Sequence, residues 1–167
     1  MQTTILIVGM CILAVIAYGD VRTRRIPNVL SLAIAILGLL RIILGHDSVA
    51  MGHTLAAATA IFIAAFLLFW YGGIGGGDTK LVAATALLVG YHDLFSFLFL
   101  MSACGGALAL AMLARSRLRP RRWLPARWAR EPLATDTVAP GRPTVPYGVA
   151  IAAAGVVTLI LNGPFAR

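Results

Sequence analysis

Two aspartates, Asp20 and Asp78, are the residues of this chain best suited to chemistry. Each follows a long apolar run, and they are two of only six acidic residues in 167. Two carboxylates brought together from separate segments can hydrolyse an amide without a metal or a covalent intermediate. One of them, ionised, takes a proton from water, while the other, protonated, hydrogen-bonds the scissile carbonyl oxygen. Like charges in contact do not both ionise readily, so a close pair shares a proton, and its apparent pKa values belong to the pair.

The stretch leading to Asp78 fits that use. Trp70-Tyr71-Gly72-Gly73-Ile74-Gly75-Gly76-Gly77-Asp78-Thr79-Lys80 lies between two apolar segments. Glycine costs about 1 kcal/mol against alanine in a helix interior, so this run is expected to break regular helix. Irregular backbone at membrane depth is tolerated only where protein or a water-filled cavity surrounds it. At Gly75 and Gly77 the bare backbone leaves room for a substrate strand to approach Asp78. The plainer alternative is a flexible interhelical loop with a solvated aspartate capping the next helix.

Competing chemistries lack parts. A P-loop needs Gly-Lys before Ser or Thr, whereas the order here is Asp78-Thr79-Lys80. A dinucleotide fingerprint from Gly73 and Gly75 would need glycine at position 78, and no βαβ pattern surrounds it. His46, His53 and His92 form no ligand-spaced pair, and no serine sits in a Gly-x-Ser-x-Gly setting. Cys11 and Cys104 read as small apolar residues, too few for a structural zinc site. No metal or cofactor is expected, and Asp47 and Asp93 read as solvated loop acids.

The elements that must position the two aspartates are membrane helices. The chain is 60% hydrophobic with mean hydropathy +0.90, and its 12% charged residues are about half the ordinary share. A single integral-membrane domain over residues 1–167 is expected. Apolar runs predict six spans: Thr3–Tyr18, Asn28–Leu44, Val49–Tyr71, Thr79–Gly90, Leu94–Ala114 and Tyr147–Leu161. The first has no basic residue ahead of it and reads as a retained helix rather than a secretory signal. Gly19 to Asn28 reads as a polar link, with Pro27 suited to starting the second helix. The fourth span covers about 18 Å as helix against a hydrocarbon core of about 30 Å, so either the glycine stretch enters the bilayer or the helix ends early near Tyr91-His92-Asp93. The first is preferred, since it also places Asp78 below the membrane surface in a polar cleft.

Twelve of the fourteen basic residues fall in alternate links, those bearing Arg22 to Arg25, Lys80, and the arginines between positions 115 and 142, and the other side has only Arg41 and Arg167. Positive residues stay cytoplasmic, so Asp20, Asp78 and the basic 115–145 link are expected inside and both termini outside. The net charge of +8 thereby reflects topology, and no nucleic-acid partner is expected. Trp123 and Trp128 within the basic link suit contact with anionic lipid. Arg25 and Asn28 have two readings each: positioning of substrate backbone, or a topology charge and a helix N-cap. Lys80, the single lysine, either steadies an ionised carboxylate or touches lipid headgroups.

These motifs together resemble those of the type IV prepilin peptidases. Gly75-Gly76-Gly77-Asp78 fits the Gly-x-Gly-Asp signature of intramembrane aspartyl proteases. Asp20 followed by Arg25-Ile26-Pro27-Asn28 resembles the family's first aspartate region, and Asp78-Thr79-Lys80-Leu81 its second. Pro146-Tyr147-Gly148-Val149-Ala150 is similar to the start of its last helix. The resemblance covers essentially the whole chain and implies an all-α polytopic bundle of about six transmembrane helices. It implies an aspartic endopeptidase with Asp20 and Asp78 catalytic, in the bacterial inner membrane. Its substrates would be prepilins, cut at the cytoplasmic face just before their hydrophobic N-terminal helix. In size the chain resembles the small members that serve Flp-type (tight-adherence) pili. Larger members carry paired Cys-x-x-Cys motifs and also N-methylate the new terminus; methyl transfer is left unassigned here. The alternative class is a non-enzymatic polytopic component of a secretion or transport assembly, with the aspartates as ion-path or loop acids.

Overall fold

The computed structural model describes residues 1–23, 27–45, 48–118 and 147–162, with side chains described except at 115–118 and 162. Arg25, for which a substrate-positioning role is expected, together with His46, Asp47 and the basic link beyond Leu118, lies outside the described residues. Among those described, the chain forms six helices and no strand: α1 (Gln2–Thr23), α2 (Asn28–Leu44), α3 (Ser48–Trp70), α4 (Gly76–Val89), α5 (Leu94–Leu118) and α6 (Tyr147–Asn162). The protein is an all-α membrane protein. Three helices, α1, α3 and α5 up to Ala114, are long and apolar enough to cross a bilayer, and α2 and α6 are shorter apolar helices. Large apolar side chains such as Phe95, Phe99 and Leu110 stand exposed, as lipid-facing residues do.

The short helix α4 is at the centre. It packs against α2, α3 and α6, while α6 also joins α1 and α5, and α1 closes onto α2. Eight of its fourteen residues are buried, from Thr79 to Val89. Too short to span on its own, α4 must have its terminal backbone groups satisfied inside the bundle. At its C-terminal end the Arg41 guanidinium of α2 donates to the carbonyls of Leu88 and, at 2.8 Å, Val89. The Tyr91 N–H beyond it donates to Thr54 Oγ1 of α3. At its N-terminal end Thr79 Oγ1 bonds the Gly75 carbonyl at 3.2 Å and reaches the Ala65 carbonyl of α3 at 3.5 Å.

Helix α2 approaches α4 through Gly38. A Cβ placed there would lie 2.8 Å from the Leu88 nitrogen and 2.9 Å from the Leu87 carbonyl carbon, both backbone atoms. Backbone of a packed helix does not yield as a side chain does. Gly38→Ala is therefore expected to destabilise the bundle by about 1–3 kcal/mol, read from thermal unfolding in detergent. An unchanged unfolding temperature would contradict this contact.

Two boundaries differ from expectation. The first helix does not end at Tyr18 but runs to Thr23, so Asp20 sits on helix rather than in a polar link. Polar side chains sustain that last turn: Arg22 donates to Tyr18 Oη at 3.0 Å and Thr23 Oγ1 to the Gly19 carbonyl at 2.9 Å. The glycine break is also shorter than expected. Gly72 and Gly73 donate to the Phe69 and Leu68 carbonyls at 2.9 and 2.8 Å, with Gly72 at φ +73°. That is a Schellman stop for α3, which requires the left-handed residue glycine supplies. Helix resumes at Gly76, so Gly76, Gly77 and Asp78 occupy the first turn of α4 rather than a broken segment.

Candidate active site

Asp20 reaches the interior because it continues the buried stripe of α1. Ile5, Leu6, Gly9, Leu13, Ile16 and Asp20 recur at helical spacing, and Asp20 is only 5% exposed. A carboxylate at the end of such a stripe needs a partner, and α6 supplies one. The Val149 N–H, in the first turn of α6, donates to Asp20 Oδ2 at 3.1 Å. That N–H is one of the four that a helix start leaves unpaired, where an acid is favoured.

Asp78 is placed by the α3–α4 turn. Gly75 takes extended backbone as the N-cap of α4, and Asp78 follows in the first turn, half-buried. A Cβ at position 75 would lie 3.1 Å from Asp78 Oδ2, so the absence of a side chain there leaves the carboxylate its position. Asp20 and Asp78 are near enough for their charges to act on one another. The fold thus brings two acids 58 positions apart in sequence to one end of the bundle, at the last turn of α1 and the first turns of α4 and α6.

The remaining site residues expected from sequence separate into groups. Lys80 Nζ donates to Asn28 Oδ1 at 3.2 Å, linking α4 to α2, and both residues are exposed. Asn28 is the first residue of α2 rather than its N-cap. Pro27 holds the cap position at φ −61°, ψ 128°, with no side-chain cap bond. Gly75 lies against the Asp78 carboxylate, and Gly77 is half-buried directly before Asp78.

Polar groups at the opposite end of α4 take no part in this cluster. His53 bonds the Val49 carbonyl through Nδ1 at 2.8 Å and packs its ring at a tilt against Tyr91, which in turn lies tilted against His92. Asp93 lies within charge range of Arg41. Among the described residues no three His, Cys, Asp or Glu side chains gather as a metal site would require.

Two features escaped sequence reading. Arg41 appears there as an outer-face charge, yet it caps α4 and so fixes the helix that carries Asp78. The Val149 N–H is backbone, with no residue-type signal; only the run Pro146 to Ala150 marked that helix start as worth attention.

Residues 7–110 match the model of the type IV leader peptidase family. That segment takes in most of α1 through most of α5, including both aspartates, and stops short of α6. Over 120 residues the chain is 32% identical to a prepilin leader peptidase/N-methyltransferase of Bacillus subtilis (strain 168). The alignment covers 71% of this chain and 48% of that protein, so the chain spans about half the length of the curated relative it matches. No solved structure matches.

Proposed function

The chain belongs to the type IV leader peptidase family, and on that premise we propose that it is a membrane-embedded aspartic endopeptidase removing the leader of type IV prepilins. The observation that carries the reading is the convergence of Asp20 and Asp78 from different helices. One carboxylate of the pair accepts a proton from the attacking water. The other, protonated, hydrogen-bonds the carbonyl oxygen as it gains charge, and returns a proton to the leaving amine. Val149 holds Asp20 in place from α6, and Gly75 keeps the approach to Asp78 open.

Within the prepilins, the resemblance drawn from sequence points to Flp-type precursors, and the basic links put the reaction at the cytoplasmic face of the inner membrane. The whole chain then acts as one peptidase domain, its 115–145 link lying on the cytoplasmic leaflet. Methyl transfer, named for the Bacillus relative, is not carried over to this chain.

Co-expression with a panel of Flp and non-Flp precursors, in cells without another prepilin peptidase, tests the reading. A precursor shortened only when the protein is present supports it, and an uncut panel refutes it. Chelators should leave the activity unchanged, because the mechanism draws on carboxylates alone. Loss on chelation, restored by one particular metal, would place the reaction in another class.

The face of the membrane is tested by single cysteines in a Cys11→Ser/Cys104→Ser background. Thr23→Cys should react in intact cells only with membrane-permeant thiol reagents, whereas Ser48→Cys should also react with impermeant ones. The reverse pattern would invert the topology.

A further inference from the structure

Asp20 ends α1 and Asp78 begins α4, so the two acids meet at one end of helices that run in opposite directions. What sets them level lies at the other end of α4. Leu88 there is fully buried and is enclosed from two sides. Its side chain lies on Gly9 of α1, where an added Cβ would come within 2.7 Å of Leu88 Cδ2. Its backbone faces Gly38 of α2, and its carbonyl accepts from the Arg41 guanidinium, as the Val89 carbonyl does. From Gly9 to Asp20 α1 rises about 16.5 Å, and from Leu88 back to Asp78 α4 covers about 15 Å, at about 1.5 Å per residue. Two rods of nearly equal length, registered at Leu88, bring their acids to one level at the far end.

The contacts at this registration point differ in kind. Leu88 on Gly9 and α4 on Gly38 are apolar contacts, and apolar attraction is non-directional, so it opposes separation of the helices more than sliding. The Arg41 bonds are directional, and they place a cation at the carbonyl end of a helix, where positive charge is favoured. An arginine within a membrane helix is costly unless its donors are taken. Here they are taken by the helix that carries Asp78.

Building on the peptidase reading above, we propose that Arg41 is a positioning residue for the aspartate pair. It acts through α4 from about 15 Å away, holding that helix at the height where Asp78 comes level with Asp20. A hydrogen-bonded helix passes an axial shift at Leu88 on to Asp78, so loosening the clamp at one end misplaces the acid at the other.

The test uses the full chain in liposomes with a type IV prepilin as substrate, with rates expressed per folded molecule. Arg41→Ala should lower kcat about a hundredfold, the cost of a displacement of about 1 Å at a reacting group, and leave KM within about twofold. Arg41→Lys returns the charge and a donor to the same carbonyls but not the fork of the guanidinium, and should recover about tenfold of that loss. If Arg41→Ala does not fold, Arg41→Lys carries the test, with kcat about tenfold below wild type at unchanged KM. A wild-type kcat in the folded variants, or a change confined to KM, would overturn the proposal and leave the peptidase reading standing. Failure of both variants to fold would overturn it too, reducing Arg41 to a stability contact. A folded wild-type protein that cuts no precursor would remove the peptidase reading, and this proposal with it.

Discussion

Asp20→Asn and Asp78→Asn each reduce precursor cleavage by about a thousandfold or more, within the range that a positioned acid or base contributes. Asparagine matches the shape of aspartate but cannot exchange the proton. At position 20 its amide oxygen still accepts the Val149 N–H, so the α1–α6 contact survives the change. At position 78 the side chain is half-buried in the first turn of α4, and the neutral amide relieves the charge interaction with Asp20. Both variants should accumulate in the membrane at wild-type levels and keep their helical content. A loss of cleavage with loss of protein would report misfolding instead. Clear turnover by either variant would remove that aspartate from the mechanism.

Gly75→Val is the second large effect, a fall in activity of about a hundredfold in a folded protein. The backbone at Gly75 is extended, at φ −72° and ψ 146°, so valine is accommodated there without strain. The residue is exposed, and what a Cβ meets is Asp78 Oδ2 at 3.1 Å. A branched side chain presses the carboxylate aside, and a displacement of about 1 Å in a reacting group costs on the order of a hundredfold. Gly52→Ala is the control, at a helical glycine with nothing within 4 Å of an added Cβ, and should leave activity unchanged. Near-normal cleavage by Gly75→Val would reduce the glycine stretch to a connector.

The convergence of Asp20 and Asp78 at one end of the bundle was legible because both follow apolar runs, an even number of expected helix passes apart, and other candidate groups form no catalytic or ligand-spaced set. The six helices followed from the apolar runs, α4 included although its run is too short to span a bilayer. Their ends were less legible, and for a physical reason. Residues such as Gly19, Arg22 and Thr23 look like a link when read by hydropathy. Hydropathy does not register the Arg22–Tyr18 and Thr23–Gly19 bonds that carry α1 one turn further. Glycine propensity likewise overstated the break before α4. Gly72 ends α3 through its positive φ, whereas Gly76 and Gly77 enter the next helix, where Phe69 packs against position 76.

Arg41 is the clearest case of a role hidden from sequence. Among fourteen basic residues it counts as one of two on the sparse side, a topology marker. In the fold it closes the C-terminal end of α4 by taking the Leu88 and Val89 carbonyls, contacts 47 and 48 positions away. No local pattern announces such a pairing, because it depends on α2 and α4 meeting at Gly38.

The most direct test of the peptidase reading is a mass measurement on the purified chain. The protein, alone in detergent or liposomes, is incubated with a purified type IV prepilin, and the pilin mass is followed over time. The account predicts two products whose masses sum to the precursor plus one water, with the cut just before the apolar segment, and neither product from Asp20→Asn or Asp78→Asn protein. A precursor that keeps its intact mass in the presence of folded wild-type protein, across Flp and non-Flp substrates, would contradict it.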